Sequence, residues 1–125
     1  MGEKRIYDLE ARLVEFVVMI SDIIKDLPNN RIGNYIAGQL TRSGFSPAFN
    51  YAESQSAESR QDFIHKVKIV LKELRETLVA LKIIHRLKLS KLEQPLSNTL
   101  QEANELIAIF VKSVETAQRN IQDER

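Results

Sequence analysis

Three features of the sequence predict an all-α fold, an up-down antiparallel four-helix bundle with a kinked second helix. Apolar residues recur at alternating spacings of three and four through most of the chain, the period of an α-helix and not of a strand. Capping-type residues and prolines divide that periodicity into four stretches of bundle length. The joints between them are short, which folds neighbouring rods back on one another. With 125 residues, 43% of them hydrophobic and 28% charged, the chain has the length and composition of a single domain, spanning 1–125, with one core.

The first helix is expected at about residues 8–27. Leu9, Leu13, Phe16, Val17, Ile20, Ile24 and Leu27 make one continuous face, with Asp8 as candidate N-cap and Pro28 as stop. The second is expected at 32–54, where Ile32, Ile36, Leu40, Gly44, Pro47 and Tyr51 share a face. Beside it Gln39, Ser43, Ser46, Asn50 and Glu53 form a polar line. Pro47 lacks an N–H and crowds the carbonyl four residues earlier, so a kink is expected near residues 43–47. Gly44 and the serines permit close approach of another backbone there.

Ser59-Arg60-Gln61-Asp62 opens the third helix, expected at 60–87, with Phe63, Val67, Val70, Leu74, Leu78, Leu81 and Ile84 facing inward. Ile64 and Leu71 widen this apolar arc beyond what one neighbouring helix covers. The fourth is expected at 95–121, with a heptad seam of Leu96, Leu100, Ala103, Ile107, Phe110, Val114, Ala117 and Ile121. Ser90 and Glu93 have capping-box spacing before it, and Pro95 sits where proline costs least. The wide arc of helix three, with Val18, Met19, Ile23 and Ile109 expected on the outside, exceeds what a monomer buries and implies self-association.

Composition removes several function classes. With no cysteine there is no disulfide, thiolate nucleophile or Cys-ligated zinc. No apolar run approaches the ~20 residues of a membrane span. The N-terminal segment MGEKRIYDLE is charged where a signal peptide is apolar, so the expected location is the cytoplasm, with no membrane partner. A di-iron bundle needs Glu-x-x-His on two helices. Here only Asp62 and His65 approach that spacing, and His85 lies about 200° around the helix from His65. No metal, cofactor or catalytic residue is expected, and with no nucleophile elbow or phosphate-binding loop the protein is not expected to be an enzyme.

The net charge of +1 conceals a strong asymmetry. Residues 59–91 carry nine basic against three acidic side chains, a balance of +6, whereas 1–27 stand at −2 and 92–125 at −3. Within the basic segment Lys68, Lys72, Arg75, Lys82 and Arg86 advance by four, three, seven and four, one stripe roughly opposite the apolar face. These five are the candidate nucleic-acid-binding residues, placed to follow phosphates. No aromatic residue interleaves the stripe, so base stacking is not indicated. The alternative is a structural homo-oligomer without nucleic-acid affinity, whose basic helix is solvated or pairs with acidic residues of helices one and four in the same or an adjacent subunit. Arg42, Asn50, Glu53 and Glu73, with Arg75, are candidates for a structural polar network fixing the register of helices two and three. An anion pocket near Arg42 is the other reading of that cluster.

The run from residue 39 to 78, QLTRSGFSPAFNYAESQSAESRQDFIHKVKIVLKELRETL, resembles the core of the four-helix-bundle proteins encoded by intervening sequences in bacterial 23S ribosomal RNA genes. The matching positions are Gln39, Leu40, Arg42, Ser43, Ser46, Asn50, Ala52, Glu53, Phe63, Ile64, Glu73 and Leu74. Many members have Gly where this chain has Ser54. The resemblance implies an up-down bundle, a homo-oligomer that is a cyclic pentamer, and kinship with the accessory variability proteins of diversity-generating retroelements. Those relatives are held to bind RNA or DNA and a protein partner, a reverse transcriptase. For most members no activity is established.

Overall fold

A computed structural model describes residues 8–124, and the charged segment at 1–7 lies outside them. Four helices follow one another: α1 (Leu9–Asp26), α2 (Arg31–Ser54), α3 (Arg60–Arg86) and α4 (Glu93–Glu124). Short polar side chains make the first three starts by accepting otherwise unpaired backbone N–H groups. Asp8 accepts from the Ala11 N–H at 3.1 Å, Asn30 from Gly33 at 2.8 Å and Ser59 from Asp62 at 3.0 Å. Asp62 in turn accepts from the Glu58 N–H at 3.3 Å, so the box expected at Ser59 forms with its return bond one residue further out.

The fourth start differs from expectation. Ser90 does not cap α4; its hydroxyl donates to Asp26 at 2.8 Å and accepts from the Leu92 N–H at 3.1 Å. Asp26 also accepts from the Lys91 N–H at 2.7 Å, so the α3–α4 joint is tied to the end of α1. The Ser90 bond first, and the Lys91 N–H second, hold the Asp26 carboxyl below the usual range. The helix begins at Glu93, ahead of the expected residue 95. Pro95 therefore precedes the first intrahelical bond, from the Leu96 N–H to the Leu92 carbonyl at 2.9 Å, and its missing N–H costs nothing.

α2 runs without a break through buried Pro47. It ends at Ser54 without a glycine, because Gln55 stays right-handed (φ −71°, ψ −16°) and the Ser54 hydroxyl donates to the Tyr51 carbonyl at 2.6 Å. α3 ends otherwise. The Lys88 N–H bonds the His85 carbonyl at 3.2 Å and the Leu89 N–H the Ile84 carbonyl at 3.0 Å, the paired bonds of a Schellman turn. That turn puts Lys88 at φ 55°, where a side chain crowds its own backbone. Lys88→Gly is expected to raise unfolding stability by about 1 kcal/mol, read as a higher denaturant midpoint at unchanged slope.

Each helix packs against two others: α1 on α2 and α4, α3 on α2 and α4. The partners run antiparallel. Arg12 near the start of α1 meets Glu102 in α4, while Asp26 at its end meets Ser90 and Lys91 just before α4. The inward faces close into one core around Leu13, Phe16, Ile20, Leu40, Val70, Leu74, Leu81, Ala103 and Phe110. Tyr51 reaches across the diagonal to Phe110, edge to face, with ring centroids 5.7 Å apart.

Several side chains sit away from where periodicity put them. Ile23, expected outside, is fully buried, and so is Leu106, one residue off the expected seam. Ile32 is exposed, because Gly33 packs against Pro28 in its stead. His65 and His85 are both exposed. Gly44 does allow a close approach: a Cβ there would stand 2.9 Å from Cγ2 of Ile20 on α1. No helix among the described residues is long and apolar enough to cross a membrane.

Candidate nucleic-acid interface

The 4-3-7-4 spacing of Lys68, Lys72, Arg75, Lys82 and Arg86 keeps all five within roughly 80° of arc on α3, and over 18 residues they extend roughly 27 Å. α3 turns its opposite face to the core through Val67, Val70, Leu74, Leu81 and Ile84, so the stripe faces water and all five side chains are exposed. None of the five forms an ion pair among the described residues. Four carboxylates of the bundle are committed elsewhere. On α4, Glu102 and Glu105 hold Arg12 of α1 at 2.7 and 2.8 Å. Glu53 holds Lys66 at 2.7 Å and Glu76 stands 3.9 Å from Arg42. The Glu102 bond leads the interactions that push the Arg12 guanidinium still further up its already high range. Among the described residues the stripe makes no ion pair with helices one and four.

At its C-terminal end the stripe enters a cleft of about 610 Å³ whose lining includes His85, Arg86, Lys88, Ser90 and Lys91, with Glu93 as its acid. Lys88 and Lys91 thus extend the positive surface beyond the five residues read from helix periodicity. They lie past the end of α3, where a helical grid no longer assigns a face. Their signal in the sequence was the +6 balance of residues 59–91, which counts them.

The residues of the polar line pair differently from the expected network. Arg42 donates to Gln39 at 2.7 Å on its own helix, and Asn50 donates to the carbonyl and hydroxyl of Ser46 at 3.0 and 2.7 Å. Glu53 reaches Lys66 across the joint, and Arg75 lies exposed on the outer side. Arg42, Asn50, Glu53 and Glu73 are not bonded to one another. The register is held instead by Ser43 and Thr77, fully buried with their hydroxyls 3.0 Å apart. Thr77 has one proton, which it gives to the Glu73 carbonyl at 2.8 Å, so Ser43 supplies the proton between the two hydroxyls. Ser43 was on the polar line read from the sequence; Thr77 shows no such signal, since a threonine hydroxyl on a core face is equally able to bond its own helix.

Glu73 is only 8% exposed. Burial, and then the neighbouring Glu76, push its carboxyl up, while Lys72 and Arg42 pull the other way. A carboxyl raised in the folded state penalises folding at pH values where it is ionised, and the penalty vanishes below the unfolded carboxyl's range. Glu73→Gln is therefore expected to raise Tm by a few degrees at most at pH 7. The gain should disappear below about pH 4, which thermal melts across pH would show.

No three His, Asp or Glu side chains among the described residues gather to hold a metal ion. The arrangement offers an extended, uncompensated row of cations on a rigid rod. Compared with known proteins, the sequence matches the family model described as 23S rRNA-intervening sequence protein over residues 7–112. The chain belongs to the 23S rRNA-intervening sequence protein family. The match takes in all of α1, α2 and α3, and with them the stripe. Among solved structures, the family fold is shared by a protein of unknown function from the S23 ribosomal protein family of Bacteroides thetaiotaomicron. It is 30% identical, aligns over 84% of this chain and 96% of its own, and superposes with a TM-score of 0.76. No curated protein matches the sequence.

Proposed function

We propose that this member of the 23S rRNA-intervening sequence protein family is a non-enzymatic, self-associating bundle that binds nucleic acid, RNA foremost, through the exposed face of α3. One observation carries the reading: five exposed cations in a single row form no ion pair among the described residues, while Arg12 and Lys66 hold their carboxylates at 2.7–2.8 Å. A row of uncompensated charge gains by meeting phosphates, because each contact releases a condensed counterion. Self-association is supported by apolar surface left outside the core, including Val14 and Val18 one turn apart on α1, 53% and 46% exposed. In a cyclic assembly, the pentamer that family resemblance implies, the stripe repeats and modest patches act together. A reverse transcriptase as protein partner is the corresponding proposal for a further contact.

The test is titration of labelled RNA and DNA at two salt concentrations, with the mass of the free protein measured in parallel by light scattering. Binding that weakens steeply with salt is the expected result. A protein of oligomeric mass that binds neither nucleic acid would establish the structural reading instead, with the basic stripe meeting the acids of a neighbouring copy.

A further inference from the structure

Tyr35 is the most exposed large hydrophobic side chain among the described residues, 71% open to solvent, in the second turn of α2. It lines a groove of about 430 Å³ between α2 and α3, together with Ile36, Val79, Ile83, Arg75 and Glu76. Val79 and Ile83 are themselves exposed, at 56% and 37%. Val79 falls in the gap of seven between Arg75 and Lys82, so the groove opens beside the middle of the basic stripe. Helix three lacks an aromatic residue in its stripe, but the antiparallel register fixed by Ser43–Thr77 and Glu53–Lys66 brings one alongside from helix two. The one carboxylate lining the groove among the described residues, Glu76, stands 3.9 Å from Arg42.

We infer that this groove takes an unpaired base of a single strand: its face lies on Tyr35 against Val79 and Ile83, and its flanking phosphates lie on Arg75, Lys82 and Arg86. The inference rests on the nucleic-acid reading above and narrows its substrate class. A flat apolar surface beside a row of cations is the combination that single strands use, since every base has a π-face and every nucleotide a phosphate. A duplex keeps its base faces stacked inside and meets only the cations. A second copy docked two-fold through this groove would oppose one basic stripe to the other, whereas a copy docked head-to-tail in a ring would not, and the oligomeric mass of Tyr35→Ala distinguishes the ring contact from the base.

The test compares an oligouridylate, an abasic strand of equal length and a duplex, each with wild type, Tyr35→Ala, Tyr35→Phe and Phe49→Ala. Tyr35→Ala should weaken oligouridylate binding roughly 5- to 150-fold while leaving the abasic strand and the duplex as in wild type. Tyr35→Phe should retain wild-type affinity, as should Phe49→Ala, whose ring is 67% exposed outside the groove. In Tyr35→Trp, which gives a chain without tryptophan a single tryptophan, the oligouridylate should quench the tryptophan fluorescence and the abasic strand should not. If Tyr35→Ala binds all three ligands as wild type does, with their salt dependence intact, stacking is wrong and phosphate binding by α3 stands. If wild type binds none of them, both readings fall. An equal loss in Phe49→Ala, or a change of oligomeric mass in Tyr35→Ala, would overturn the assignment of this groove.

Discussion

Reversing three charges of the stripe, Lys68→Glu with Lys72→Glu and Lys82→Glu, is expected to lower affinity for RNA at least 100-fold at low salt. Two unit charges 4 Å apart in water attract by about 1 kcal/mol, and reversal turns each attraction into a repulsion of equal size. Three positions therefore remove up to about 6 kcal/mol, of which ionic screening leaves at least half at low salt. The slope of log affinity against log salt should flatten by about two to three, close to 0.7–0.9 for each phosphate that is no longer neutralised. Folding should be little altered. All three residues are exposed, none has an ion pair to lose, and glutamate and lysine have similar helix propensity. Affinity and Tm measured on the same preparation check both halves. A variant that binds as wild type does would move the interface away from α3. A variant that keeps its helicity but loses oligomeric mass would show the stripe to be a contact between subunits.

Gly33→Ala is expected to destabilise the bundle by about 2–3 kcal/mol, against the sign that helix propensity gives. In an open helix the change would gain up to about 1 kcal/mol. Here an added Cβ would overlap the Pro28 carbonyl oxygen, which accepts from the Asn30 N–H at 3.0 Å in the tight α1–α2 turn. A flexible side chain could move aside, but a backbone carbonyl moves only with the turn, and overpacking of this kind costs about 1–3 kcal/mol or more. Gly38, five residues further on, is the control. Nothing lies within 4 Å of a Cβ there, so Gly38→Ala should raise stability by up to about 1 kcal/mol. Urea unfolding of both variants reads the difference directly, and two changes of the same sign would refute the steric account. Tyr35 lies only two residues beyond Gly33, so Gly33→Ala should disturb the groove proposed to seat a base, while Gly38→Ala should not.

Four helices, their approximate limits and the caps at Asp8 and Ser59 were legible in the sequence, because they depend on residues three and four apart. The basic stripe was legible for the same reason: five exposed positions of one helix face obey one helix's geometry. Reading began to fail where two elements meet. Ile23 and Ile32 exchanged their expected environments, since which edge of an amphipathic face is covered depends on how the helix is rotated against its neighbours. Ser90 had the spacing of a cap for helix four but bonds Asp26, whose position 64 residues earlier no local pattern reports.

By itself the sequence determined an all-α bundle with one strongly basic rod, because periodicity, capping and charge along a helix are local properties of the chain. Only the tertiary structure decided that Glu102 and Glu105 belong to Arg12 and not to the stripe of α3, that Ser43 and Thr77 hold the register, and that Tyr35 stands beside Arg75. Each of these is set by the rotation and register of rods distant in sequence, which the packing of the shared core fixes.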